Sequence, residues 1–305
     1  MSRNDSVVLT EFILQGIPHT ESLELPLFCF FCLIYILTLV GNSLIIIAVK
    51  EKPALHTPMY FFLVNLSILD MCLSSVTLPK LLANILFVKT ISFRECVCQL
   101  YFFHFLASCE CFLYTVMAYD RYVAICRPLH YSSLLSWKVC MGFAFGCWLI
   151  ASLHSMSHTV LTFLLPYCHH NRIDHFFCDI IPILKLACAD TTVNKTVTLA
   201  NIGTVALLCF ILILTSYVHI LIAIMKKKSL KARKKTFSTC GSHVTVVMLF
   251  YVPCVLIYMR PDSSSSGNSS IAVFYTLLTP VLNPIIYSLR NQEVKTVLRK
   301  MLKIN

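Results

Sequence analysis

Residues 25–49 read LPLFCFFCLIYILTLVGNSLIIIAV, a run with no Asp, Glu, Lys or Arg. About 20 such residues carry a helix across the hydrocarbon core of a bilayer, where each backbone amide must be paired inside its own segment. The chain repeats the pattern. Val139–Pro166, Thr196–Met225, Thr236–Met259 and Ile271–Leu289 are also free of these four residue types. Pro58–Pro79 and Cys96–Tyr119 are apolar runs with one carboxylate each, Asp70 and Glu110. Of the 305 residues, 57% are hydrophobic and 13% charged, with mean hydropathy +0.77. A soluble domain carries about 25% charged residues, so this composition excludes a water-covered surface. The reading is an all-α membrane protein: a seven-transmembrane helix bundle with a short amphipathic C-terminal helix.

An odd number of spans puts the termini on opposite sides, and Lys and Arg decide which is which. The first loop, the segment from Asp120 on, the loop around 226–235 and the tail hold 17 of the 25 basic residues, with Glu51, Asp120 and Glu293 as their acids. The other segments hold eight basic and nine acidic residues. The basic side faces the cytoplasm, so the N-terminus is outside. The net charge of +11 then reflects orientation beside anionic inner-leaflet lipid and gives little reason to expect nucleic acid. The expected divisions are an extracellular tail over 1–24, the membrane domain over 25–290, and a cytoplasmic amphipathic helix and tail over 291–305. No cleavable signal peptide is expected in MSRNDSVVLTEF. The sequon at Asn4 fits glycosylation of an external tail. Asn65 lies inside a span and should be bare; Asn194 and Asn268 lie close to the membrane.

Sixteen cysteines need more than one explanation. Most lie within spans as small apolar packing residues. Cys96, Cys168, Cys178 and Cys188 lie on the oxidising side, where bridges persist, and four cysteines allow three connectivities. His169, His170, His175, Cys178 and Asp179 form an alternative metal-binding cluster, against which stand their irregular spacing and the tendency of external thiols to oxidise.

A charge within a span marks function by default. If their helices are neighbours, Asp70 and Glu110 either share a proton or bind a cation, with sodium suited to added oxygens from Ser67, Ser74 and Asn283. The structural alternative is a polar network that holds helices together. The stretch MAYDRYVAIC, residues 117–126, puts Asp120, Arg121 and Tyr122 at the cytoplasmic end of the third span. A pair that can exchange partners suits a two-state switch; a static anchor is the alternative.

Further stretches complete a pattern: Gly41-Asn42 in span one, PMYFFLVNLSILD ending at Asp70, Ser216-Tyr217, KARKKTFSTCGSH opening span six, and Asn283-Pro284-Ile285-Ile286-Tyr287. Together with MAYDRYVAIC and the HFFCD of the long loop, they make the chain resemble the vertebrate odorant (olfactory) receptors. These are rhodopsin-like G-protein-coupled receptors, and LHTPMYFF points to the tetrapod-type branch. The resemblance covers essentially the whole chain. It implies the disulfides Cys96–Cys178 and Cys168–Cys188 and a sodium site at Asp70 and Glu110. It also implies a coupling switch at Arg121, with Tyr217 and Tyr287 as partners gained on activation. Two departures stand out. Span five has Cys209 and no proline where the wider class often kinks. Span six reads Phe250-Tyr251-Val252-Pro253, with tyrosine where the wider class carries tryptophan. Pro253 should kink the helix and act as a hinge.

Helical periodicity nominates a pocket in the outer halves of the spans. His104, Ala107, Ser108 and Cys111 share a face of span three. Tyr251, Cys254, Val255 and Tyr258 do so on span six, Thr198, Asn201, Ile202 and Val205 on span five, and Val273, Thr276 and Leu277 on span seven. Such a lining suits a small, volatile, largely hydrophobic molecule with one or two hydrogen-bonding groups. The resemblance implies a plasma-membrane receptor of olfactory cilia that activates a stimulatory, olfactory-type heterotrimeric G protein and raises cyclic AMP. No cofactor is expected beyond the sodium ion. An ion-coupled transporter or channel is the rival reading. A membrane enzyme lacks support, since neither HExxH nor GxSxG occurs.

Overall fold

A computed structural model of the chain describes residues 9–168, 170–226, 229–258 and 273–290, together with 294, 296 and 297. Helices α1 (Glu24–Glu51), α2 (Pro58–Leu86) and α3 (Phe93–Cys126) precede a four-residue helix, α4 (Tyr131–Leu134). Then come α5 (Trp137–Phe163), the short α6 (Ile180–Leu184), α7 (Thr192–Met225) and α8 (Leu230–Tyr258). A π-helical turn, Phe274–Leu278, leads into α9 (Thr279–Arg290). Helices α1, α2, α3, α5 and α7 are each long and apolar enough to cross a membrane. Shorter apolar stretches, Cys240–Leu256 of α8 and Thr276–Tyr287 around α9, complete the seven-helix bundle.

The polarity is inverted relative to a soluble protein. Leu33, Ile36, Leu37 and Val40 of α1, Phe145 and Leu153 of α5, and Leu207, Leu208 and Leu212 of α7 are exposed. The interior holds Asn42, Asp70, Glu110, His243 and Asn283, each no more than 2% exposed. Exposed apolar surface of this extent is stable only against lipid. This is a multi-pass membrane protein.

Local chemistry sets the ends. Pro58 begins α2, where a missing amide hydrogen costs nothing. Ser92 and Glu95 form a reciprocal capping box at the start of α3. In span one, a Cβ on Gly41 would lie 3.1 Å from Cγ of Pro284, so the missing side chain admits α9. Asn42 next to it donates to the carbonyls of Thr38 and Pro280, at 3.0 and 3.1 Å, and clips α1 to α9.

The expected tail over 1–24 contains a strand. β1 (Glu11–Leu14) pairs antiparallel with β2 (Thr90–Ser92) and parallel with β3 (Arg172–Ile173). Phe12 and Leu14 are fully buried with Ile91, Leu100, Ile173 and Ile183 in a second apolar core at this end of the bundle. Four residues are too short for alternation to identify a strand, and both partners are distant in sequence. The chain leaves β1 through Gly16 at φ 74°, where a Cβ would stand 2.7 Å from Nδ2 of Asn84. Gly16→Ala is expected to cost about 1–2 kcal/mol in the left-handed region alone. Amide exchange at residues 11–14 should accelerate in this variant; unchanged exchange would show that the strand docks without this turn.

Of the C-terminal segment, Val294, Thr296 and Val297 are described. They are helical, with Val294 and Val297 packed into the main core. The rest of the expected amphipathic helix, the sequon at Asn4 and His169 lie outside the described residues.

Candidate functional site

Helix α3 runs through the middle of the bundle and touches three groups of functional residues along its length. Near the β-sheet, Cys96 in its first turn is bonded to Cys178 of the long loop, and Cys168 is bonded to Cys188 within that loop. Gln99 fastens the loop further, accepting from the Cys178 amide at 2.9 Å and donating to the Val76 carbonyl at 3.0 Å. One turn deeper, Nε2 of His104 lies 3.1 Å from Oδ1 of Asp179, both side chains being buried. Burial opposes the charge on Asp179, but the His104 hydrogen bond, the nearby imidazoles and the Ile180 amide hold its carboxyl below the ordinary range. Among the described residues, of which His169 is not one, the alternative metal cluster does not assemble. Cys178 is in a disulfide, Asp179 is held by His104, and Nδ1 of His175 accepts from the Phe177 amide. Irregular loop spacing gave no basis for predicting these separate partners.

Below the loop, a small open cavity lies between α3, α5, α7 and α8. His104, Ala107, Ser108 and Cys111 line it from α3, Ile202, Val205 and Ala206 from α7, and Phe250 and Cys254 from α8. Its polar edge extends onto α5: Nδ1 of His154 is 3.0 Å from Oγ of Ser108, and Nε2 of His158 is 3.3 Å from the second nitrogen of His154. Sequence reasoning missed His154 and His158, although their i, i+4 spacing in SLHSMSH was a readable signal. Tyr251 does not itself line the cavity, but its hydroxyl is 2.9 Å from the sulfur of Cys111, which does.

Other nominated residues lie apart. Val255 is 47% exposed on the outer surface, which corrects its assignment to the lining. The inward face of α8 is set by Phe250 and Cys254; Val255 is one residue, about 100° of helix, further round. Asn201 is half-buried and does not line the cavity. Thr276 is fully buried in the π-helical turn. The side chain of Tyr258 lies outside the described residues.

At the centre of the bundle, Nδ2 of Asn283 donates to both oxygens of Asp70, at 2.9 and 3.1 Å, and approaches the Tyr114 hydroxyl at 3.3 Å. Glu110 lies close enough to hydrogen-bond with Asp70, and Ser67 is buried. Oε1 of Glu110, Oγ of Ser74 and Oδ1 of Asn283 are buried without a hydrogen-bond partner among the described residues. Orphaned oxygens on Glu110, Ser74 and Asn283, together with the Asp70 carboxyl, are of the donor chemistry that suits a small hard cation. Tyr114, the largest fully buried side chain, was not anticipated, because nothing in the sequence separates it from other packing aromatics.

At the far end of α3, Nε of Arg121 is 3.8 Å from Oδ2 of Asp120. Oδ1 of Asp120 accepts from the Tyr131 hydroxyl on α4 at 2.8 Å. Nη2 of Arg121 is buried with no hydrogen-bond partner among the described residues. The Tyr217 hydroxyl of α7 pairs with Nδ1 of His243 on α8 at 2.7 Å, and the Tyr287 hydroxyl is buried with no such partner. Tyr122 packs against His219 of α7. His243, within the GSH of the span-six motif, and Tyr131 are functional candidates that the sequence reading passed over. Helix α8 continues through the buried Pro253, which stands at the level of the cavity between the lining residues Phe250 and Cys254.

Seven lipid-facing helices, a cavity under a cross-linked loop and the Asp120–Arg121 pair at the opposite end define a G-protein-coupled receptor. The olfactory receptor family model matches residues 31–304. Human Olfactory receptor 10G4 is 51% identical over 300 residues, covering 98% of this chain and 96% of its own length. Human Olfactory receptor 10G3 is 52% identical over 305 residues, covering 99% and 97%. Mouse Olfactory receptor 4E2 is 50% identical over 294 residues, covering 96% and 95%. The chain belongs to the olfactory receptor family, a family of receptors and not of enzymes.

Proposed function

We propose that this receptor binds small, volatile, largely hydrophobic odorants in the cavity between α3, α5, α7 and α8. Binding would activate a stimulatory, olfactory-type heterotrimeric G protein and raise cyclic AMP. The observation that carries this reading is the lining itself: mostly apolar, with a serine, two imidazoles and two thiols at its edge. Such a surface rewards burial of hydrocarbon and fixes orientation through one or two hydrogen bonds. The charge asymmetry of the loops supports an external N-terminus, with the plasma membrane of olfactory cilia as the proposed location.

The mechanism is population shift: an odorant moves the equilibrium only by its affinity difference between two packings. Movement of α8 about Pro253 separates His243 from Tyr217. It also frees Arg121 from Asp120 and opens a cytoplasmic cavity for the G protein. A cyclic-AMP screen across odorant classes in cells expressing the chain tests this reading. His104→Ala and Tyr251→Phe should each weaken potency by about 5- to 30-fold, equal to loss of a hydrogen bond worth about 1–2 kcal/mol. Unchanged dose curves in both would remove these residues from the site. A ligand-dependent current without G protein would favour a channel.

A bound sodium ion is the second element of the proposal, held by Asp70 and Glu110 with oxygens of Ser67, Ser74 and Asn283. The ion would supply charge neutralisation in the resting packing, and its carboxylate ligands would favour that packing. Sodium titration should therefore lower odorant potency in the parent receptor and leave Asp70→Asn insensitive. A proton shared between the two carboxyl groups would instead give a receptor indifferent to sodium.

A further inference from the structure

We propose that the cavity selects neutral carbonyl odorants (ketones, aldehydes and esters), with the Ser108 hydroxyl as the hydrogen-bond donor that reads the carbonyl oxygen. A one-way chain, His158 to His154 to Ser108, sets the direction of that hydroxyl. The inference rests on the cavity being the odorant site and deepens that reading by naming the ligand class. Ser108 and His154 both line the cavity. Hydroxyls in these helices commonly give their proton to the carbonyl four residues back, as Thr38, Ser75, Thr115 and Thr159 do. Ser108 makes no such bond among the described residues; its oxygen instead lies 3.0 Å from Nδ1 of His154. This contact is not needed to join α3 to α5. Ser155 donates to the Tyr101 carbonyl at 2.6 Å, and the Tyr101 hydroxyl lies 2.8 Å from Oγ of Ser152, so the two helices are already tied.

Proton accounting gives the chain its direction. Nε2 of His154 lies 3.3 Å from Nε2 of His158, so one of these nitrogens carries a proton and the other a lone pair. Two arrangements satisfy both contacts. In the inward one, Ser108 donates to His154, His154 donates to His158, and the chain ends on an Nδ1–H of His158. In the outward one, His158 donates to His154, His154 donates to Ser108, and the chain ends on the Ser108 O–H. His158 is 0% exposed, and its Nδ1 is buried with no hydrogen-bond partner among the described residues. The inward chain therefore strands an N–H, and the outward chain only a lone pair. Unpaired buried N–H groups are the rarer of the two in folded proteins. Successive bonds polarise one another, so a hydroxyl at the end of the outward chain is a stronger donor than an isolated one. A carbonyl oxygen accepts from it and brings no proton that the walls of Ile202, Val205 and Ala206 would leave unpaired.

The test uses the full-length receptor in lipid nanodiscs, with cyclohexanone as the probe and methylenecyclohexane, which has the same shape and no acceptor, as the control. Ligand-observed NMR titration gives affinities, and infrared difference spectra give the carbonyl band of bound cyclohexanone. Ser108→Ala should weaken cyclohexanone by about 2- to 12-fold, the fold-change of one net hydrogen bond. Methylenecyclohexane should bind parent and variant alike, which also reports that the variant folds. The carbonyl band should lie at lower wavenumber in the parent than in Ser108→Ala. His158→Phe keeps a ring and removes the donor that starts the chain, so its band should fall between those two. Equal losses for the two ligands, or one band position in parent and Ser108→Ala, overturns the proposal. A His158→Phe band equal to the parent's overturns the relay. Binding of neither ligand to the parent would sink the odorant reading and this one with it, whereas binding of both with unshifted bands would sink only this one.

Discussion

Arg121→Ala is expected to bind odorant and to lose most of its cyclic-AMP response. The fall should be about 5- to 150-fold, the span of coupling free energies of about 1–3 kcal/mol between linked sites. The reasoning starts from an imbalance in the structure. Among the described residues, Arg121 has one ion pair, a long contact of 3.8 Å to its neighbour Asp120, and its Nη2 is buried without a hydrogen bond. A guanidinium in that condition gains from any packing that offers it a better partner. Linkage supplies a second readout. If Arg121 couples the two ends, G protein raises odorant affinity in the parent receptor and leaves it unchanged in the variant. Full signalling by Arg121→Ala would end the switch role.

Cys178→Ser should produce the largest loss of folded receptor. Its bond to Cys96 spans a sequence separation of 82 residues. In the chain-entropy account, a loop of that size constrains the unfolded state by about 4.5 kcal/mol, against about 3.3 kcal/mol for the 20-residue separation of Cys168 and Cys188. Typical stabilities are only about 5–15 kcal/mol, so either loss is a large share. The Cys96 bridge also anchors the segment carrying Asp179 to the helix carrying His104. Surface expression and thermal stability should therefore rank parent above Cys188→Ser above Cys178→Ser. Equal expression of parent and Cys178→Ser would show that Gln99 and the β-sheet hold the loop unaided.

The two ends of the molecule were legible in the sequence to different degrees. The carboxylates Asp70 and Glu110, the arginine in MAYDRYVAIC and the α3 lining face could be read because each rests on local spacing or on a charge misplaced in hydrocarbon. The α8 face could be read only to within a residue. Tyr251 and Cys254 fell near the cavity, Phe250 was missed, and Val255 was assigned inward though it faces out. In a helix apolar on every side, periodicity carries little information about which residues face the core, because lipid and protein interior are equally apolar.

By itself the sequence determined the number of spans, the seven-helix architecture and the family, since hydrocarbon thickness imposes a run length and the motif stretches are local strings. Only the tertiary structure decided that residues 11–14 form the centre of a sheet, that Asp179 caps His104, and that His154, His158, Tyr114 and His243 join the functional groups. Each of these depends on partners brought together from distant segments. Such contacts form when packing closes long loops, and no local pattern of residues encodes which distant group will be there to meet them.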